Sequence, residues 1–179
     1  DGTAAVSPNG GGFSAFGSGC IGDWVCHVLD PVFWALDLDM PTAIKAETKG
    51  YDPVQHAEFY PQGTKITYEF PAKGNRGPVK ITWYDGKLQP PKELAQMPAE
   101  LKLPGGGSLF IGEKGNMVLP HVGGPRLYPV DDFKGFAYPK DIKGLNHYHR
   151  WIDAILEGTK TTDGFDYAGW LSEAAQLGN

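Results

Sequence analysis

Thr64-Lys65-Ile66-Thr67-Tyr68-Glu69-Phe70 alternates Ile66, Tyr68 and Phe70 against Lys65, Thr67 and Glu69. One apolar and one polar face at a period of two mark a half-buried strand of an antiparallel sheet. The same period recurs on either side. Ala43 to Thr48 sets Ile44 and Ala46 against Lys45 and Glu47. Val79 to Tyr84 sets Val79, Ile81 and Trp83 against Lys80 and Thr82, and Asp85-Gly86 ends the run. Further on, Ser108 to Ile111 and Met117 to Pro120 flank Gly112-Glu113-Lys114-Gly115-Asn116, which reads as a hairpin. Arg126 to Val130 reads as a short strand.

Helical periods lie at the two ends. Residues 22–36 form the first candidate helix, with Asp23 placed to cap it and Pro31 to kink or restart it. Residues 87–106 carry Pro90, Pro91, Pro98 and Pro104, which predicts a long excursion around a short helix at 92–96. Asp141 to Leu156 predicts a second helix, with Leu145, Tyr148, Ile152 and Ile155 on one stripe and Gly158 as its stop. Asp166 to Leu177 predicts a last helix stopped by Gly178. Residues 1–21 are rich in Gly, Ser and Ala and read as a flexible segment, leaving 22–179 as the folded domain. The order helix, strands, helices predicts an α+β fold: a mostly antiparallel, open-faced sheet with helices packed on one face. The other face would carry the polar positions in water or against a second copy of the chain.

The 179 residues suit one domain with a sizeable core. With 16 basic and 21 acidic residues the net charge is −5, and no basic run occurs, so nucleic acid and anionic membranes are poor partners. No segment approaches the roughly 18 apolar residues of a membrane span. Cys20 and Cys26 are too few for a disulfide framework and are read as thiols. The start at Asp1, without methionine or a signal-peptide pattern, suggests a cut inside a longer protein, or processing.

Gly22-Asp23-Trp24-Val25-Cys26-His27-Val28-Leu29-Asp30 holds the most chemistry. Spacings of four and three place Asp23, His27 and Asp30 on one face of a helix. Three readings stand. His27 is a general acid–base oriented by Asp23. Alternatively the three side chains bind a divalent metal, although no fourth ligand stands at a diagnostic spacing. Or Asp23 is a cap and His27 a satisfied core histidine. Gly17-Ser18-Gly19-Cys20-Ile21-Gly22 matches G-x-G-x-x-G, but no apolar strand precedes it and no βαβ unit follows, so it is not read as a dinucleotide loop. Glu113-Lys114 is read as a hairpin tip. His147 and His149, two apart, face different sides of a helix. His121 is a loop histidine with no partner that the sequence names.

Several segments in order resemble one family. Gly22-Asp23-x-x-x-His27-x-x-Asp30-x-x-x-Trp34 is similar to the helix opening the C-terminal domain of the glucose–fructose oxidoreductase / inositol dehydrogenase family (Gfo/Idh/MocA). Ser108 to Gly115 resembles that family's late hairpin, His147 to Ile155 with Gly158 its penultimate helix, and Phe165 to Asn179 its closing segment. The wording Cys26 to Leu36 is similar to bacterial members, often exported, which leaves cytoplasm and periplasm both open. The resemblance implies that Asp23 and His27 are the catalytic pair and that Asp30 and Trp34 support them. It implies a substrate such as a sugar, inositol or related polyol, and oligomerisation through the open sheet face. NAD or NADP, together with a lysine from a Glu-Lys-Pro motif, would come from an N-terminal Rossmann domain that this sequence does not contain. The isolated chain would then be inactive, with no cofactor-binding or metal-binding residues of its own. Two other roles share the scaffold: an NAD-using glycosidase or lyase, and a non-catalytic binding or assembly module.

Overall fold

The computed structural model describes residues 14–15, 17–140, 144 and 146–179. Strands β1 (Ala43–Thr48), β2 (Thr64–Phe70) and β3 (Val79–Tyr84) form an antiparallel sheet in that order. The pairs Ile44↔Tyr68 and Ile66↔Trp83 bring the apolar positions onto one face, as the alternation predicts. Ile66 and Tyr68 are 1% exposed and Phe70 3%, so this face is the floor of the main core. On the opposite face Glu47 lies between Lys45 and Lys65, each 3.4 Å away.

The strands do not make a single sheet. β4 (Gly107–Gly112), β5 (Gly115–Pro120) and β6 (Arg126–Tyr128) form a second antiparallel sheet of their own. The proline-rich excursion between residues 84 and 107 separates the two. The late hairpin is tighter than expected, because Gly112 pairs with Gly115 and only Glu113 and Lys114 turn the chain. A 3-10 turn at Lys92–Ala95, in place of the short helix, covers this sheet. Ala95, Val118 and Tyr128 form a small core beneath it, and the buried Asn116 amide donates to the Leu94 carbonyl at 3.0 Å.

The first helix departs from expectation in a way that matters for the site. It begins at Gly19, inside the segment expected to be flexible, and Ile21 is already core at 1% exposure. Ser18 occupies the cap position, so Asp23 is an interior helical residue and caps nothing. Helix α1 (Gly19–Trp24) passes into a π turn at Val25–Leu29 and then into helix α2 (Asp30–Ala35). The Asp30 N–H bonds the Val25 carbonyl, five residues back instead of four. Pro31 follows at once, in the first turn of α2, and with no N–H it returns no bond to the preceding π turn.

Helix α3 (His147–Glu157) starts later than the sequence suggests, because the Asn146 side chain caps it by accepting from the Tyr148 and His149 N–H groups. Residues 141–143 and Leu145 lie outside the described residues. The predicted stripe is not buried: Tyr148 is 71% exposed, Ile152 49% and Ile155 63%, and on this helix only Ala154 is buried. Helix α4 (Phe165–Gly178) keeps Gly178 inside its last turn and does not use it as a stop. A side chain at Gly178 would bring a Cβ to 2.0 Å from the Tyr68 hydroxyl, so the helix reaches the sheet only because this residue is glycine. Ile21, Val25, Leu29 and Phe33 of the first helical stretch, Leu171, Ala174 and Ala175 of α4, and the floor of the first sheet share one core. The fold is α+β, with helices on one face of the first sheet.

Candidate functional site

The π turn sorts the residues of the opening stretch into two groups. Val25 and Leu29 face the core at 7% and 4% exposure, while Asp23, Trp24, Cys26 and His27 are exposed. Beyond the turn, Asp30 is half-buried and engaged. The Tyr167 hydroxyl of α4 donates to its Oδ1 at 2.6 Å and to its backbone carbonyl at 3.1 Å. Burial, followed by the Asp30 hydrogen bond and charge, pushes the Tyr167 phenol above its usual value. Asp30 is thus a strut between helices, and the three-residue stripe is split. Among the described residues no three His, Cys, Asp or Glu side chains come together as a metal site.

His27 lies in a cluster of three rings. Its centroid is 5.6 Å from Trp24 and 5.0 Å from His121, and Trp24 lies 5.2 Å from His121, all in edge-to-face contact. Edge-to-face rings at this spacing attract beyond simple burial. His121 follows β5, and its N–H bonds the Gly106 carbonyl at 2.9 Å across the mouth of the β4–β5 hairpin. The Ser108 hydroxyl donates to the Val28 carbonyl, pinning the start of β4 to the π turn. Three chain segments therefore fix the cluster: the π turn, the entry to β4 and the exit from β5.

Asp23 stands one turn before His27 and is likewise exposed, and no hydrogen bond or ion pair among the described residues joins its carboxylate to the imidazole. Trp34 is 69% exposed on α2, and it is Trp24, not Trp34, whose ring meets His27. Sequence reading missed Trp24 and His121 as site residues. His121 is far from His27 in sequence, and glycines surround its loop with no period that would mark a face. Glu113 and Lys114 form the two-residue hairpin tip, as expected. His147 stacks on Tyr148 at the start of α3, with centroids 3.9 Å apart.

Gly19 and Gly22 lie inside α1, and a Cβ on Gly19 would sit 3.1 Å from the Tyr60 ring. The Asn179 amide donates to the Ser18 carbonyl at 2.6 Å, tying the end of the chain to the start of α1. Cys20 and Cys26 are both free, and burial, with Asp85 and Asp23 adding to it, raises the Cys20 thiol to about 11. No helix among the described residues is long and apolar enough to cross a membrane. The chain matches no known family model, and no curated protein matches it.

Proposed function

We propose that this chain is the substrate-binding half of an NAD(P)-dependent oxidoreductase acting on a sugar, inositol or related polyol. The observation that carries the reading is the exposed His27 imidazole, held between Trp24 and His121 at the junction of three chain segments. A surface imidazole fixed by rings, with no hydrogen-bond partner of its own among the described residues, is free to exchange a proton with a bound hydroxyl. The ordered resemblance of segments from Gly22 to Asn179 supports the same reading.

In this proposal His27 takes the proton from a substrate hydroxyl as its carbon is oxidised, and returns it in reverse. Asp23, one turn away and likewise exposed, is the second residue the proposal places against the substrate. Asp30 and Tyr167 keep the π turn in register so that His27 faces outward. In this proposal a nicotinamide cofactor would take the hydride and would be held by a separate Rossmann domain, as the family resemblance implies. The polar outer face of the first sheet, with Lys65 and Glu47, is the surface the proposal assigns to assembly.

The test uses the longest reading frame that contains these residues, assayed with a panel of inositols and aldoses for reduction of NAD or NADP. His27→Ala should lower turnover about 10²–10⁴-fold, the usual contribution of a positioned acid–base, while cofactor binding is retained. Unchanged turnover in that variant would sink the assignment.

A further inference from the structure

Trp24 and His121 hold His27 in place, and both also present themselves to solvent beside it. Trp24 is 38% exposed, and both imidazoles belong to exposed residues. Neither imidazole has a side-chain hydrogen-bond partner among the described residues, so both nitrogens of each ring are available to a ligand. The surrounding segments are Gly105-Gly106-Gly107-Ser108 and His121-Val122-Gly123-Gly124. A Cβ on Gly105 or Gly124 would meet nothing within 4 Å, and one on Gly106 would make ordinary contact with the Trp24 ring at 3.5 Å. The rim is therefore low, and the three rings lie open beneath it.

The chemistry of the cluster narrows its ligand. Neither rim segment carries a lysine or arginine, and Asp23 adds a negative charge one turn from His27, which is a poor setting for a phosphate or carboxylate. No metal group forms here among the described residues. What remains is an indole, which takes the apolar C–H face of a ring, and two imidazoles 5.0 Å apart, which take neighbouring hydroxyls.

We propose that Trp24 and His121 form a binding subsite beside His27 for a neutral, hydroxyl-bearing ring, with Trp24 as the platform and His121 as the residue that selects a hydroxyl next to the reacting one. The proposal rests on the reading of His27 given above and names the residues that would decide its substrate. His121 is a positioning and specificity residue: it bonds a hydroxyl that does not react.

The experiment titrates the labelled 179-residue chain with myo-inositol and, separately, with methyl glucoside and inorganic phosphate. It follows the indole signal of Trp24 and the imidazole signals of His27 and His121 by NMR. At least one of the two ring ligands should move all three signals together and saturably. His121→Ala should weaken that binding about 10-fold, the loss of one good hydrogen bond, and His121→Asn, which keeps a donor and an acceptor, should recover part of it. In the cofactor-bound full-length enzyme, His121→Ala should raise KM more than it lowers kcat. If signals move at His27 while His121→Ala binds unchanged, the subsite is wrong and the reading of His27 survives. If neither ring ligand moves any of the three, both fail. Phosphate moving the same rings with equal affinity would overturn the assignment to a neutral hydroxylated ligand.

Discussion

Removing one hydroxyl from each of two tyrosines should change stability in opposite directions. Tyr68 is 1% exposed in the main core, and its hydroxyl has no hydrogen-bond partner among the described residues. A buried hydroxyl without a partner costs about 1–3 kcal/mol by mutational measures, and the atom's own dispersion contacts return only about 0.1–0.2 kcal/mol each. Tyr68→Phe should therefore stabilise the fold by about 0.5–2 kcal/mol. Tyr167 is the reverse case. Its hydroxyl reaches the Asp30 carboxylate at 2.6 Å, and a hydrogen bond to a charged group is worth about 1.5–3 kcal/mol. The site is only partly buried, so Tyr167→Phe should cost about 1–2 kcal/mol after solvent screening.

Urea unfolding of both variants at neutral pH, followed by circular dichroism, reads these differences directly. In a thermal scan each kcal/mol corresponds to about 2–4 °C in Tm for a domain of this size. The two changes should also add to within about 0.5 kcal/mol, because they act at opposite ends of α4. A loss of stability in Tyr68→Phe would show that its hydroxyl has a partner and that the approach of Gly178 is looser than described. No loss in Tyr167→Phe would remove Asp30 as a strut between helices.

Alkaline pH should weaken the fold. Tyr68 and Tyr167 are both held above the ordinary phenol value of 10.0, chiefly by burial, and Cys20 is raised from 9.0 to about 11. The folded chain keeps protons that the unfolded chain releases, so these contributions are complete below pH 9.0 and decline as pH rises through 9.0 to about 11 and beyond. Flat unfolding free energy across that window would contradict the burial of these groups. Where the start of β2 meets the end of β3, Asp85 accepts from the Thr64 N–H and hydroxyl, each at 2.6 Å, and from the Trp83 indole at 2.8 Å. Asp85→Ala should cost about 3 kcal/mol by urea unfolding, with less than about 1 kcal/mol refuting its role as a hub.

The strands were legible because a period of two needs only local sequence. Ile66, Tyr68 and Phe70 point one way whatever they pack against, and β1, β2 and β3 begin and end where the alternation does. Sheet partition was not legible, since pairing across the proline-rich excursion depends on contacts that no local period encodes. The stripe on α3 shows a related limit. Tyr148, Ile152 and Ile155 share a face, but a helical period identifies the apolar side without identifying what covers it. In the candidate site, His27 could be singled out from its spacing with Asp23 and Asp30. His121 could not, because its link to His27 is made by two strands and a turn. Spacing also placed Asp30 with His27, and only the π turn, which no propensity scale anticipates, hands Asp30 to Tyr167 instead.

A π turn amounts to one residue inserted between two stretches of α-helix, each keeping its own rotational frame. The downstream frame is anchored, with Asp30 tied to Tyr167 and Phe33 in the core at 1% exposure. The upstream frame carries Trp24 and leads into His27. One residue of α-helix is about 100° of rotation, so losing the inserted residue would turn the two frames relative to each other by that angle. If the anchored core held its frame, the aromatic platform would be aimed at a different part of the surface. The insertion thus acts as a coupling of fixed phase: the platform's direction is set by a count of residues, separately from the packing that keeps the domain folded.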